Sequence, residues 1–120
     1  MLFDEYTDQL EVFNRKFEDA FHNVNRKDLL AFQEAVKPLC RNFNHESLIT
    51  ALATINTKCK NKNLCKLFGD YMNHIESREK YFTSGLMPII VNAYTTRSIN
   101  RLIQNLAAYL DKTKGDELKQ

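Results

Sequence analysis

The sequence is poor in the residues that make tight turns. Its 120 residues include three glycines, two prolines and no tryptophan. A β-sandwich or β-barrel of this length needs more turn residues than that, which argues against an all-β fold. Leu, Ala, Lys and Glu favour helices, and eight Phe with five Tyr suggest a core filled largely by rings. We therefore predict an all-α fold.

Cysteines and long apolar runs are also scarce. Cys40, Cys59 and Cys65 form an odd set that lacks the close spacing of a small, disulfide-stabilised secreted domain. No apolar run approaches the ~18 residues that a membrane-spanning helix requires, and the acidic start resembles neither a signal peptide nor a transit peptide. We expect an intracellular, cytoplasmic protein that does not insert into membranes. The interior of an organelle is the alternative if a presequence has been removed.

Motifs of catalysis and metal binding are missing as well. The sequence contains no glycine-rich phosphate loop, nucleophile elbow or His-Glu-x-x-His run, and no Cys-x2-Cys or His-x3-His pair to begin a zinc site. The adjacent acidic residues Asp4-Glu5 and Glu18-Asp19 diverge around a helix instead of converging on a substrate. We predict a protein that is not an enzyme and needs no cofactor, metal ion or small-molecule substrate.

Apolar residues recur at steps of three and four through most of the chain, which is the period of amphipathic helices. The pattern predicts about six helices, paired as three antiparallel hairpins in a compact helical bundle or a short α-solenoid. We expect a single helical domain over residues 1–112 and a flexible C-terminal tail over residues 113–120. The predicted apolar faces span residues 3–24, 29–39, 48–55, 64–75, 87–94 and 99–110.

Asparagines and prolines mark several boundaries of these helices. Asn25, Asn44 and either Asn61 or Asn63 are placed to cap the second, third and fourth helices. Pro38 should end or kink the second helix.

Other boundaries rest on weaker signals. The fourth helix either stops near Asn73 or runs on to Phe82, and the sequence leaves both open. The polar run 96–98 should separate the fifth and sixth helices, and Gly115 should end the sixth. Since residues 87–94 are apolar nearly all round, we expect the fifth helix to be central and buried on several sides.

The same apolar pattern occurs twice in residues 47–110, with a lysine-rich loop three residues longer in the first copy. Matched positions are expected to face inward, and they are Leu48, Ala51, Leu52 and Ile55 in the first copy and Leu86, Ile89, Ile90 and Ala93 in the second. The second copy continues with Tyr94, Leu102, Leu106, Tyr109 and Leu110. This pattern resembles one repeat of the helical-hairpin superfamily that includes pentatricopeptide, tetratricopeptide and octotricopeptide proteins. The resemblance covers about half of the chain and implies a hairpin array, with RNA binding in one branch.

The most unusual local feature is a lysine-rich loop. Four lysines fall within residues 58–66, which end at a predicted helix N-terminus where the dipole also favours anions. They would form a basic edge for RNA with two arginines, one turn apart, if the ends of stacked hairpins lie side by side. The alternative is a solvated loop whose lysines aid solubility. The residues of this predicted edge are Lys58, Lys60, Lys62, Lys66, Arg97 and Arg101.

Cys65 lies among these lysines, in the first turn of the predicted fourth helix. Nearby positive charge and a helix N-terminus both favour a thiolate, so Cys65 is the candidate reactive thiol of the chain. The alternative is that Cys65 packs as a small apolar residue.

The distribution of charge favours a protein partner. Residues 1–20 hold six acidic and two basic side chains, whereas residues 26–66 hold eight basic and three acidic ones. Such asymmetry either steers a charged partner or lets helices attract each other, and Phe and Tyr are suitable interface anchors. We predict a non-enzymatic protein–protein interaction module, an accessory or assembly subunit of a larger complex. The alternative is an RNA-binding helical-repeat protein that uses the basic edge.

Overall fold

A computed structural model describes the backbone of residues 1–118 and the side chains of residues 1–114. Over this range the chain is all-α and contains no strand, which confirms the predicted class. Five α-helices and a 3-10 helix occur there, where about six helices were expected. They are α1 (Phe3–Phe21), α2 (Arg26–Val36), the 3-10 helix (Lys37–Cys40), α3 (His45–Lys58), α4 (Lys62–Tyr81) and α5 (Met87–Leu118).

Asparagine caps begin three of the helices at the predicted places. The side-chain oxygens of Asn25, Asn44 and Asn61 each accept a hydrogen bond from the backbone N–H three residues further on, at 2.8, 2.8 and 2.9 Å. These bonds satisfy N–H groups that a helix leaves without a partner. Pro38 acts as predicted at the other end of α2, where the α-helix stops and the 3-10 helix follows.

The predicted fifth and sixth helices are one element. The expected break at residues 96–98 lies inside α5, which is uninterrupted. Thr95 and Thr96 fit a helix because each hydroxyl donates to the carbonyl oxygen four residues earlier, at 2.8 Å in both cases. α5 also continues past Gly115, the predicted end, and residues 119–120 of the predicted tail lie outside the described range. α4 is continuous as well and ends at Tyr81.

Ring contacts show that α1 and α4 run antiparallel. At the start of α1, Phe3 meets Phe82 with ring centroids 6.4 Å apart, and further along α1, Phe17 meets Tyr71 at 5.4 Å. Phe17 also packs on Phe32 of α2, with centroids 5.7 Å apart. Aromatic rings therefore form the centre of the core, as predicted from composition.

In contrast, α1 and α5 run parallel. Phe3 packs on Tyr94 with ring centroids 5.2 Å apart, and Phe21 packs on Tyr109 at 6.0 Å. α2 contacts α5 near the same end as Tyr109, where the Leu110 carbonyl oxygen accepts a hydrogen bond from α2. The start of α1 is thus level with Tyr94 of α5, and the end of α1 is level with Tyr109.

Candidate protein-binding face

The N-terminal half of α5 and Leu86, which directly precedes it, present apolar side chains to solvent. Leu86 and Ile89 are 70% and 67% exposed, Ile90 and Tyr94 are 40% and 39% exposed, and Ala93 is exposed too. Their spacing of three and four residues places them on one stripe, which we call the outer face of α5. Adjoining exposed apolar side chains, unlike isolated ones, mark interaction sites.

This exposure corrects two predictions: that residues 87–94 form a central, buried helix, and that the first four matched positions of the second repeat copy face inward. The later positions Leu102, Leu106 and Leu110 are buried as expected. The physical reason is the position at which α1 begins. Because Phe3, the first residue of α1, packs on Tyr94, the turns of α5 before Tyr94 extend beyond α1. Within residues 86–94, only Val91 is fully buried.

The start of the chain enlarges the apolar surface. Met1 and Leu2 are 45% and 69% exposed, and they directly precede Phe3, whose ring meets Tyr94 edge-on. Met1 and Leu2, just before α1, therefore lie at the same end of the molecule as the outer face of α5.

Positive charge borders the outer face at its C-terminal end. The Arg97 guanidinium lies over the Tyr94 ring, 5.1 Å from its centroid, and makes no ion pair with another residue in the described part of the chain. Arg101 Nη1 donates to Glu11 Oε1 of α1 at 3.1 Å. Arg97 is thus the cation of this region that remains available to a partner.

A cleft of about 280 Å³ separates α1 from α5 beside Arg97. Asn14 and Ser98, both buried, line it together with the charged residues Asp8 and Arg101. Asn14 Nδ2 donates to the Ser98 carbonyl oxygen at 3.4 Å, whereas Asn14 Oδ1 has no hydrogen-bond partner within the described residues. The wall of the cleft therefore contains buried polar residues beside Tyr94, at the end of the apolar stripe.

Buried hydroxyl groups beneath the outer face join α5 to α1 and α4. Tyr6 Oη and Thr95 Oγ1 lie 2.7 Å apart, and Tyr71 Oη and Ser98 Oγ lie 2.6 Å apart. Burial raises the pKa of Tyr6 and of Tyr71, so both phenols stay protonated near neutral pH. Rotating α5 would leave these groups buried without partners, which is costly. The hydroxyl pairs therefore fix the direction in which the outer face points.

Arg78 fastens the start of α5 to α4. It is buried, its Nη1 donates to the Ile75 carbonyl oxygen at 2.7 Å, and its Nε donates to Asn92 Oδ1 of α5 at 2.8 Å. Its guanidinium also packs on the Phe43 ring, 4.9 Å from the centroid. One side chain thus holds α4, α5 and the segment after the 3-10 helix together. These contacts fix the position of the start of α5, which carries the outer face.

His74 makes the stability of the helix packing beneath the outer face depend on pH. Its ring stacks on Tyr6 with centroids 4.6 Å apart, and its Nε2 lies 2.9 Å from the Tyr6 carbonyl oxygen. Burial lowers the pKa of His74, and the hydrogen bond to Tyr6 opposes that shift only partly. The unfolded chain therefore binds a proton at this residue more tightly than the folded one. The contribution of neutral His74 to the free energy of unfolding is fully present above about pH 6.5 and is lost as the pH drops below that value.

We expect His74→Gln to reduce the loss of unfolding free energy between pH 7 and pH 5. The glutamine amide can donate to the same carbonyl but does not titrate in this range. Urea denaturation at pH 7, 6 and 5 measures the effect, and His22→Gln, at an exposed histidine, is the control that should keep the wild-type slope. Equal slopes for wild type and His74→Gln would refute the role of His74.

The lysine-rich loop and the two arginines do not form one continuous edge. The Lys60 N–H donates to Asp28 Oδ1 at 3.2 Å, which ties the loop to the start of α2. There Arg26 Nη1 donates to the Leu110 carbonyl oxygen of α5 at 3.0 Å. Arg97 lies about 20 Å along the helix from Leu110, on the side of α5 that borders α1. The six predicted basic residues therefore belong to two separate surfaces.

The four lysines of the loop are exposed. Lys66 Nζ pairs with Asp70 Oδ2 at 3.3 Å, while Lys58, Lys60 and Lys62 point into solvent. Cys65, the predicted reactive thiol, is half-buried. The exposure of the loop lysines was therefore predicted correctly from the sequence, whereas the outer face of α5 was not predicted.

Comparison with protein families, curated proteins and solved structures finds no match for this chain. The resemblance to helical-hairpin repeats stays a prediction, and the second repeat copy lies on one continuous helix. No helix in residues 1–118 is both long and apolar enough to cross a membrane. The described side chains also bring together no group of three His, Cys, Asp or Glu residues that could hold a metal ion.

Proposed function

We propose that this protein is a non-enzymatic interaction module, an accessory or assembly subunit that binds another protein through the outer face of α5. The observation that carries the proposal is the exposure of Leu86, Ile89 and Ile90 as neighbours on one stripe. Covering apolar surface releases it from water and favours association. The buried hydroxyl pairs and Arg78 support the proposal because they hold this stripe outward in a fixed direction.

The partner segment that we propose is an amphipathic helix with acidic side chains at one end. A straight stripe of two to three turns matches a second helix, whose apolar residues at i, i+3, i+4 and i+7 can meet it. Arg97 at the end of the stripe supports an acidic residue at that level of the partner.

Selection from a displayed library of helical peptides on the intact protein tests the proposal. We expect enriched peptides to share an apolar stripe and an acidic end, and to lose binding when the outer face is changed. Enriched peptides that bind Ile89→Glu as well as wild type would overturn the proposed face. A wild-type dimer that Ile89→Glu converts to a monomer would instead assign the face to a second copy of the chain.

RNA binding by the lysine-rich loop is the second candidate function, and the exposure of Lys58, Lys60 and Lys62 is the observation that favours it. It has weaker support because the loop and the arginines lie on separate surfaces. If it holds, RNA binding at low salt should weaken steeply as salt is added and should be lost when the four loop lysines become Gln. If no RNA binds at low salt, this candidate is eliminated.

A further inference from the structure

Two cysteines flank the loop between α3 and α4. Cys59 directly follows α3, and Cys65 lies in the first turns of α4. Cys65 Sγ is 3.6 Å from the Cys59 carbonyl oxygen and 3.8 Å from the Ile55 carbonyl oxygen. The Cys65 thiol is therefore turned toward the end of α3 and the residue that carries the other thiol.

The two thiol groups share one environment. Cys59 is 4% exposed, and burial raises its pKa to about 11. The Asn61 backbone N–H lowers that pKa, whereas the Asp28 carboxylate and the neighbouring Cys65 raise it. Cys59 is thus a protonated, shielded thiol, and its neighbour Cys65 is partly open to solvent. Cys40, on the 3-10 helix, is exposed.

Positive charge surrounds the open side of the pair. Lys58, Lys60, Lys62 and Lys66 are exposed on the segment that contains both cysteines. Such a cluster raises the local concentration of small anions. Oxidised glutathione carries several carboxylates, so its charge is complementary to this loop.

We propose that Cys59 and Cys65 form a reversible intramolecular disulfide by exchange with a low-molecular-weight disulfide of the oxidised glutathione class. Cys65 gives its proton to solvent, and the thiolate attacks one glutathione sulfur. The glutathione S–S bond breaks, and the departing thiolate takes up a proton. Cys59 then loses its proton and attacks the Cys65 sulfur, which displaces the second glutathione as a thiolate that is protonated in turn. Two protein thiols are oxidised, and one glutathione disulfide is reduced to two glutathione thiols.

The closed bond would link the end of α3 to the start of α4 across the lysine-rich loop. That loop is already held to α2 by the bond from the Lys60 N–H to Asp28 Oδ1. Buried Cys59 forms its thiolate rarely at neutral pH, so closure is expected to accelerate as the pH is raised.

The test uses the full chain with Cys40→Ser, which removes the third thiol, and oxidised glutathione as the probe. We expect free thiols, counted after unfolding, to fall from two to none, and the mass to fall by two hydrogen atoms. No glutathione should stay attached, and dithiothreitol should restore both thiols. Adding Cys59→Ser should stop the reaction with one glutathione on Cys65, whereas adding Cys65→Ser should leave buried Cys59 unmodified.

Two results would overturn the proposal. One is that both thiols of the Cys40→Ser protein stay free while circular dichroism shows a folded chain. The other is that glutathione stays attached to one or both cysteines without closing the bond between them.

Discussion

Ile89→Glu is expected to weaken the binding of selected helical peptides about 30-fold or more. Ile89 is 67% exposed in the middle of the outer face, so a partner that covers the face must bury whatever stands there. A buried, unpaired carboxylate opposes that burial, and losses at the centre of an interface are about 2 kcal/mol or more. Because the side chain lies in solvent, the substitution should leave the fold intact.

Ile49→Glu is the matched control for this experiment. Ile49 is another exposed apolar residue, on α3 and away from the outer face. Its substitution replaces the same side chain with the same charge, and we expect it to change the dissociation constant by no more than about twofold. Fluorescence anisotropy with a labelled peptide measures both variants, and equal weakening by the two would remove the outer face as the binding site.

Arg97→Pro is expected to lower the free energy of unfolding by about 3 kcal/mol or more. In the middle of a continuous α5, proline removes a backbone hydrogen bond and its ring clashes with the carbonyl four residues earlier. The Arg97 side chain is exposed, so little core packing is lost directly. A loss of this size is a large part of the stability of a small domain, and urea denaturation monitored by circular dichroism measures it.

Arg97→Ala separates the effect of the backbone from that of the side chain. It keeps the helix and removes only the guanidinium over Tyr94, so we expect a change within about 0.5 kcal/mol. If residues 96–98 formed the turn of a hairpin, proline would be tolerated there almost as well as alanine. Similar stabilities of the proline and alanine variants would therefore contradict a continuous α5.

Helix boundaries that depend only on neighbouring residues were predictable from the sequence. Asn25, Asn44 and Asn61 satisfy backbone groups only three residues away, and Pro38 acts on its own turn of helix. Nothing distant is needed to make such a prediction. The starts of α2, α3 and α4 and the all-α class were therefore correct from the sequence.

The orientation of α5 was not predictable in this way, because the helix carries two stripes. The inward stripe includes polar members, Thr95 and Ser98, which are paired with tyrosine hydroxyls of other helices. On sequence alone Ser98 belonged to the polar run 96–98 that suggested a break, and the apolar side chains of the outer face were expected to form the core instead. The hydroxyl pairs with Tyr6 and Tyr71 satisfy Thr95 and Ser98, so the stripe that contains them can be the buried one.

For the predicted basic edge, the exposure of the lysines could be predicted from the sequence, but the contacts of the arginines could not. The lysine-rich loop is exposed as its composition indicated. The neighbours of Arg101, however, depend on the parallel packing of α1 and α5, which lie at opposite ends of the chain. Its partner Glu11 is 90 residues away, and no short-range sequence pattern predicts such a pair.

Photo-crosslinking tests the central claim, that the outer face of α5 binds a protein, most directly. A benzoylphenylalanine placed at Ile89 of the full chain should crosslink to a discrete protein in the native source. A selected helical peptide should suppress that crosslink, and the same group placed at Ile49 should give none. A position 89 that yields no crosslink, or the same product as position 49, would contradict the claim.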